Sequence, residues 1–224
     1  MDLSRYSLDS RKLKIIGWVF TVLGAVGVTV CRDTVPGTVL VFLGRIALPI
    51  FAFLLVEGFM NTDNMERYFL SLAAAAVVAE PFYDYACQGT WLDFSSATGQ
   101  NPLFAFVLGL IEVFFLHHAA TRRKTVSAVL MVIAAPLWGF VFNIHYGMTL
   151  MLLCGVFYLL REKKTARIWT AAAVGAIPYI TPALGVLPTA LYSGERGKYP
   201  KYLFYALYPV LWVLLAVIRM VTGG

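Results

Sequence analysis

The chain has 224 residues, 60% of them hydrophobic and 13% charged, with a mean hydropathy of +0.75 and a formal charge of +6. That balance excludes an ordinary soluble domain, and because the basic residues fall in short clusters between apolar runs, it also excludes a nucleic-acid surface. The runs are roughly 17 to 23 residues long, enough to cross a hydrocarbon layer about 30 Å thick.

In chain order, "RKLK" at 11–14 precedes a first run from Leu13 to Cys31. No small-residue cleavage pattern follows it, so it reads as a signal anchor. Further spans are expected over Gly37 to Phe59, Tyr68 to Cys87, Pro102 to His117, Thr125 to Phe142, Tyr146 to Leu160 and Tyr202 to Val221. A Pro-rich stretch, Ile168 to Tyr192, separates the last two. The expected fold is an all-α polytopic membrane helix bundle, a single integral-membrane domain over 1–224 with about seven full spans plus a hairpin at 168–192.

Lys and Arg concentrate in "SRKLK", "HHAATRRK", "REKKTAR" and "GERGKYPK", whereas "CQGTWLDFSSATGQN" and "NIHYG" carry none. The positive-inside rule places the first four loops and the N terminus in the cytoplasm, the last two outside, and the C terminus outside. Residues 168–192 then begin and end on one side, yet are too few for two crossings of roughly 20 residues each. Pro178, Pro182, Pro188 and Gly185 break a straight helix there. A re-entrant or strongly tilted hairpin bent near "PYITP" is therefore expected, buried in protein or against a watery cavity.

Charges inside the spans are the candidate functional groups. Arg45 lies about 12 Å and Glu80 about 10 Å below the outer end at 1.5 Å per residue, which predicts an Arg45–Glu80 ion pair with Asp84 one turn further out. Two readings stay open. The pair is a latch that only holds the bundle, or Glu80, Asp84, Asn101 and additionally His145 line an outward cavity in which Arg45 neutralises an anionic substrate. Glu57, Asn61, His117 and His118 gather at the inner end and suggest a cytoplasmic entrance, and Glu112 is a third intramembrane carboxylate.

Adjacent His117 and His118 point about 100° apart on a helix of 3.6 residues per turn, so no metal site is expected. Cys31, Cys87 and Cys154 lack ligand spacing and read as apolar thiols, with a Cys31–Cys87 disulfide as the alternative. Trp18, Trp138, Trp169 and Trp212 read as packing or interface anchors. No Walker loop, dinucleotide fingerprint, zinc-protease motif or nucleophile elbow is present.

The order Gly-Arg-Ile-Ala, Pro-Ile-Phe-Ala-Phe-Leu-Leu-Val-Glu-Gly-Phe and Glu-Pro-Phe in residues 42–84 resembles the TraX family of bacterial membrane proteins, with further echoes in "QNPLFAFVLGL", "LYSGERGK" and "FYALYP". The resemblance covers most of the chain. It implies a multi-pass protein of the bacterial cytoplasmic (inner) membrane, associated with N-terminal acetylation of conjugative pilin and distantly similar to integral-membrane acyltransferases that modify surface sugars. It also implies acetyl-CoA as acyl donor, with membrane lipid and an envelope acceptor, a pilin-like protein or a glycan, as partners.

The chain departs from the family pattern where histidine or aspartate is usual. Gly24 and Ala25 replace an Asp-His pair, and Asn61 and Leu211 each replace a histidine. Acyl transfer needs a base. Three readings follow: an O- or N-acyltransferase with Asp84 or Glu80 as base, Arg45 on the oxyanion and Asn101 donating a hydrogen bond; a catalytically lapsed scaffold or assembly partner; and a small transporter or flippase using the hairpin.

Overall fold

The computed structural model describes residues 7–93, 98–177, 179–198, 200 and 202–222. Pro178, part of the "CQGTWLDFSSATGQN" loop, and Tyr199 and Lys201 of "GERGKYPK" lie outside the described residues. The chain is helical throughout: α1 Ser10–Val28, α2 Val35–Gly44, α3 Ala47–Met60, α4 Met65–Gln88, α5 Pro102–Thr121, α6 Thr125–Val141, α7 Gly147–Leu159, α8 Lys164–Ala176, α9 Thr181–Leu184, α10 Val186–Ala190 and α11 Leu203–Thr222. Helix starts follow short polar side chains. Asp9, Thr34, Asn64 and Asn101 each accept a backbone N–H from the first turn they cap.

These helices form a membrane bundle. Val35–Met60, Pro102–Thr121 and Leu203–Thr222 are each long and apolar enough to cross a bilayer, and α6 and α7 are shorter apolar helices. Two ends are defined by side-chain and backbone ties. At one, Arg32 donates to the Cys87 carbonyl and Arg219 to the Ala86 carbonyl, while Gln100 pairs with Ile144. At the other, Leu8 pairs with Tyr192, close to the loop at Asn61. They are called here the Trp91 end and the Asn61 end.

The expected second span is one path in two pieces. Pro49 has no N–H to give the Arg45 carbonyl, so that carbonyl accepts from Leu48 instead at 3.2 Å, and the helix breaks between α2 and α3 at Arg45. The Pro-rich stretch folds back on itself as a hairpin: α9 and α10 pack against α8, and Tyr192 after α10 pairs with Leu8 at the Asn61 end. Its tip stops against the break. A Cβ on Gly185 would sit 2.1 Å from the Ile46 carbonyl oxygen, so only glycine lets the two backbones approach this closely.

A close crossing joins α1 and α2, where a Cβ on Gly44 would fall 2.4 Å from the Gly24 Cα. Position 24, where the resemblance expects an acid, has no room for a side chain. The main core lies among α3, α5 and α7, with Phe53 edge-on to Phe157 at 5.4 Å between ring centres. A second cluster packs α11 onto α4 through Ala79, Tyr83, Trp212 and Leu215. Cys31, Cys87 and Cys154 are free thiols, so no Cys31–Cys87 disulfide forms.

Candidate functional site

A half-open cavity of about 670 Å³ lies between α1, α2, α3, α4, α5 and α11. Near the Asn61 end its wall carries Lys14, Glu57, Asn61, Asp63, Arg67 and Arg196. Aromatic rings accompany them: Lys14 lies 5.5 Å over the Phe204 ring, and Tyr68 meets Tyr205 edge-on at 6.5 Å. Deeper, the wall becomes Arg45, Tyr83, His145, Tyr146, Tyr208 and Trp212.

Arg45 does not pair with Glu80. Its guanidinium carbon stands 3.3 Å from the centre of the Tyr179 ring, 4.7 Å from Phe42 and 5.8 Å from Tyr146. Nε donates to the Tyr146 hydroxyl at 3.2 Å, while Nη1 is buried without a protein partner. Arg32 pairs with Asp33 and Arg161 with Glu162, both at the surface. The expected pair rested on equal depth, and depth leaves the direction around the helix axis open: Arg45 faces α7 and the hairpin, whereas Glu80 faces the start of α5.

Glu80 and Asn101 form a buried pair outside the cavity lining, and Asp84 is buried one turn further along α4 with a partner of its own. Glu80, 2% exposed, accepts from the backbone N–H of Asn101 at 3.1 Å and from its side-chain amide. The same amide donates to the Ala76 carbonyl at 3.0 Å, and the Asn101 carbonyl oxygen caps α5 by accepting from Leu103 at 2.9 Å. Asp84 is fully buried, and its Oδ2 accepts from the Asp93 N–H at 2.8 Å. These groups tie the end of α4 to the next loop and to α5.

His117 is likewise committed, its Nδ1 3.1 Å from the Tyr158 hydroxyl and its ring edge-on to Phe59 at 5.5 Å. His118 lines a small surface cleft with Lys124 and Met131, away from the cavity. Of the residues expected at a cytoplasmic entrance, Glu57 and Asn61 line the cavity and His117 and His118 do not. Glu112 is buried in α5 with neither oxygen hydrogen-bonded, pressed against Gly155. No group of three or more His, Cys, Asp or Glu side chains able to hold a metal occurs among the described residues.

His145 gains most from the fold. The loop after α6 is pinned to the strand-like segment before α5, because Gln100 donates to the Asn143 carbonyl at 2.8 Å and accepts from the His145 N–H at 2.9 Å. The imidazole Nδ1 lies 2.6 Å from the Thr98 carbonyl and 3.3 Å from the Tyr83 hydroxyl. A carbonyl only accepts, so Nδ1 carries the proton and Nε2 keeps its lone pair. Burial holds this imidazole below its ordinary value, against the Thr98 bond and together with the nearby Arg45 charge. The neutral, basic form is therefore the resting one at pH 7.

The sequence offered His145 as a lining residue, but Tyr83, Tyr146, Tyr179 and Tyr208 carried no signal beyond their aromatic character. Trp212, read as a packing or interface anchor, packs edge-on to Tyr83 at 4.6 Å, 4% exposed, and also lines the cavity.

Fold and site together define a helical membrane bundle with a polar-mouthed cavity and a neutral histidine beside a caged arginine. The family model described as "TraX protein" matches residues 9–219, and the chain belongs to the TraX family. It is also 28% identical over 207 residues to the "Probable fimbrial assembly protein FimC, serogroup H1" of Dichelobacter nodosus, covering 80% of this chain and 82% of that relative. No solved structure matches.

Proposed function

We propose that the protein is an acyltransferase of the bacterial cytoplasmic membrane, multi-pass with its N terminus inside, that transfers an acetyl group to a pilin-like or other envelope acceptor. The observation that carries this is the cavity, which joins the Lys14, Arg67 and Arg196 mouth to Arg45 and His145. Basic and aromatic side chains together suit the phosphates and ring of a nucleotide-bearing thioester such as acetyl-CoA. The deeper half suits the chemistry. The name of the Dichelobacter relative, a fimbrial assembly protein, supports an acceptor in a surface filament.

His145 is the base in this reading. Its Nε2 takes the proton of the acceptor amine or hydroxyl as that nucleophile bonds to the acyl carbon. The carbon–sulfur bond then breaks, and the thiolate leaves with the electron pair and takes up a proton. Arg45, with Nη1 unspent, supplies positive charge to the reacting end. Asp84 and Glu80, expected as bases, serve as structural ties because both are buried outside the cavity lining.

A second reading is a lapsed scaffold that assists filament assembly without chemistry. It is favoured by Gly24, Ala25, Asn61 and Leu211, which stand where the resemblance implies histidine or aspartate. Inverted membrane vesicles given radiolabelled acetyl-CoA separate the two. Donor-dependent label on an envelope acceptor that requires this chain supports the transferase, and its absence with every envelope fraction as acceptor leaves the scaffold.

A further inference from the structure

Two polar groups in the cavity wall lack a hydrogen bond to the protein. Tyr208 and Trp212 stand four residues apart on one face of α11, and both line the cavity. Trp212 is 4% and Tyr208 9% exposed, yet neither the indole Nε1 nor the phenolic oxygen has a hydrogen-bond partner. Their rings meet edge-on at 6.1 Å, and the two polar atoms are near enough to interact electrostatically without meeting hydrogen-bond geometry. Buried polar groups are nearly always satisfied, so an exception inside a cavity points to a ligand atom.

The chemistry of the pair restricts that atom. An indole N–H can only donate, so the ligand atom is an acceptor, and a cation is excluded. The surroundings are apolar, with Ala25 and Leu103 packed in the same cluster. A small neutral group with one acceptor oxygen fits. Tyr83 links this wall to the base, since its ring packs on Trp212 at 4.6 Å while its hydroxyl lies 3.3 Å from the His145 Nδ1.

We propose that Trp212 and Tyr208 form the acyl-carbonyl site of this cavity, donating to the carbonyl oxygen of an acyl thioester and to the oxyanion it becomes. The assignment rests on the reading of the cavity as an acyl-donor path. When the nucleophile bonds to the carbonyl carbon, the carbonyl π electrons move onto oxygen, and these donors stabilise the charge. Collapse re-forms the double bond and expels the thiolate. The nucleophile's proton passes to Nε2 of His145 and then to the thiolate, so atoms and charge balance.

The test is difference infrared spectroscopy of the full chain in lipid nanodiscs with [1-13C]acetyl-CoA, alongside equilibrium dialysis of the radiolabelled probe. In the parent the bound carbonyl stretch should move to lower wavenumber than in free acetyl-CoA. Trp212→Phe and Tyr208→Phe should each reverse part of that shift while the probe still binds. Each should also lower kcat about 10²-fold, with KM for the donor little changed. Tyr208→Phe removes a single oxygen, so it stays informative if Trp212→Phe does not fold. A bound probe whose carbonyl absorbs as in free solution, or a shift that survives both substitutions, overturns this site and leaves the donor path standing. A parent that binds no probe overturns the donor path and this site together.

Discussion

The Arg45 guanidinium lies 3.3 Å from the centre of the Tyr179 ring, so the break in the second span and the tip of the hairpin are held by one contact. A cation on an aromatic face contributes about 0.5–2 kcal/mol, with the higher figure where water is excluded. A double-mutant cycle with Arg45→Met and Tyr179→Leu, read by thermal unfolding in detergent, should give a coupling of about 1–2 kcal/mol. The same cycle with Arg45→Met and Glu80→Gln should be additive. Coupling to Glu80 and none to Tyr179 would restore the ion pair that depth alone suggested.

Asn101 performs three tasks at once: it caps α5, bridges to the Ala76 carbonyl and supplies two donors to Glu80. Asn101→Ala loses a cap worth about 0.5–2 kcal/mol and leaves a buried carboxyl group short of partners at about 1–3 kcal/mol. A loss of about 2–4 kcal/mol in unfolding free energy is expected on those two counts. Asn101→Asp tests the same joint differently, because it keeps the cap but sets an acid against Glu80. It should destabilise more at pH 8 than at pH 5. Equal destabilisation at both values would show that Glu80 makes no use of the amide.

The order of the apolar helices and the fold-back of the Pro-rich stretch were legible in the sequence, because a hydrocarbon layer imposes composition on each run. Of the about seven full spans expected, however, three helices among the described residues are long and apolar enough to cross, and the second span is broken at Arg45. The spans expected at Pro102, Thr125 and Tyr202 begin within a residue of α5, α6 and α11. What was not legible is rotation about each helix axis. The runs are apolar on nearly every side, so no stripe says whether Arg45 faces Glu80 or Tyr179. The partition between Asp84, sealed by the Asp93 N–H, and His145, delivered by Gln100, depends on loop pairings that composition does not encode. The Gly24–Gly44 crossing likewise depends on two glycines twenty positions apart, each ordinary by itself.

The proposed orientation has its own check. In a variant with Cys31, Cys87 and Cys154 replaced by alanine, single cysteines at Trp91 and Lys163 sit in exposed loops at opposite ends of the bundle. Trp91→Cys should react with an impermeant maleimide on intact spheroplasts. Lys163→Cys should react only after permeabilisation. The reverse pattern would invert the protein and move the basic mouth of the cavity outside, where a cytosolic thioester could not reach it.

The choice of base separates Asp84 from His145. Asp84→Asn keeps an oxygen to accept the Asp93 N–H, so folded protein and transfer rate should both stay near the parent. His145→Gln keeps a donor for the Thr98 carbonyl but removes the lone pair at Nε2, and transfer should fall about 10²–10⁴-fold. The pH dependence carries a sign. Burial, and then Arg45, hold the His145 imidazole below its ordinary value of 6.5, so the folded chain binds that proton less readily than the unfolded one. Above 6.5 the residue leaves stability unchanged, whereas below it the unfolded chain protonates first and stability declines until the folded value is passed. The parent should thus show both an acid loss of kcat/KM and an acid slope in unfolding free energy, each lying below 6.5. His145→Gln should flatten the stability slope, a readout that needs no acceptor. A variant with Asp84→Asn that abolished transfer while His145→Gln left it intact would return the base to the aspartate.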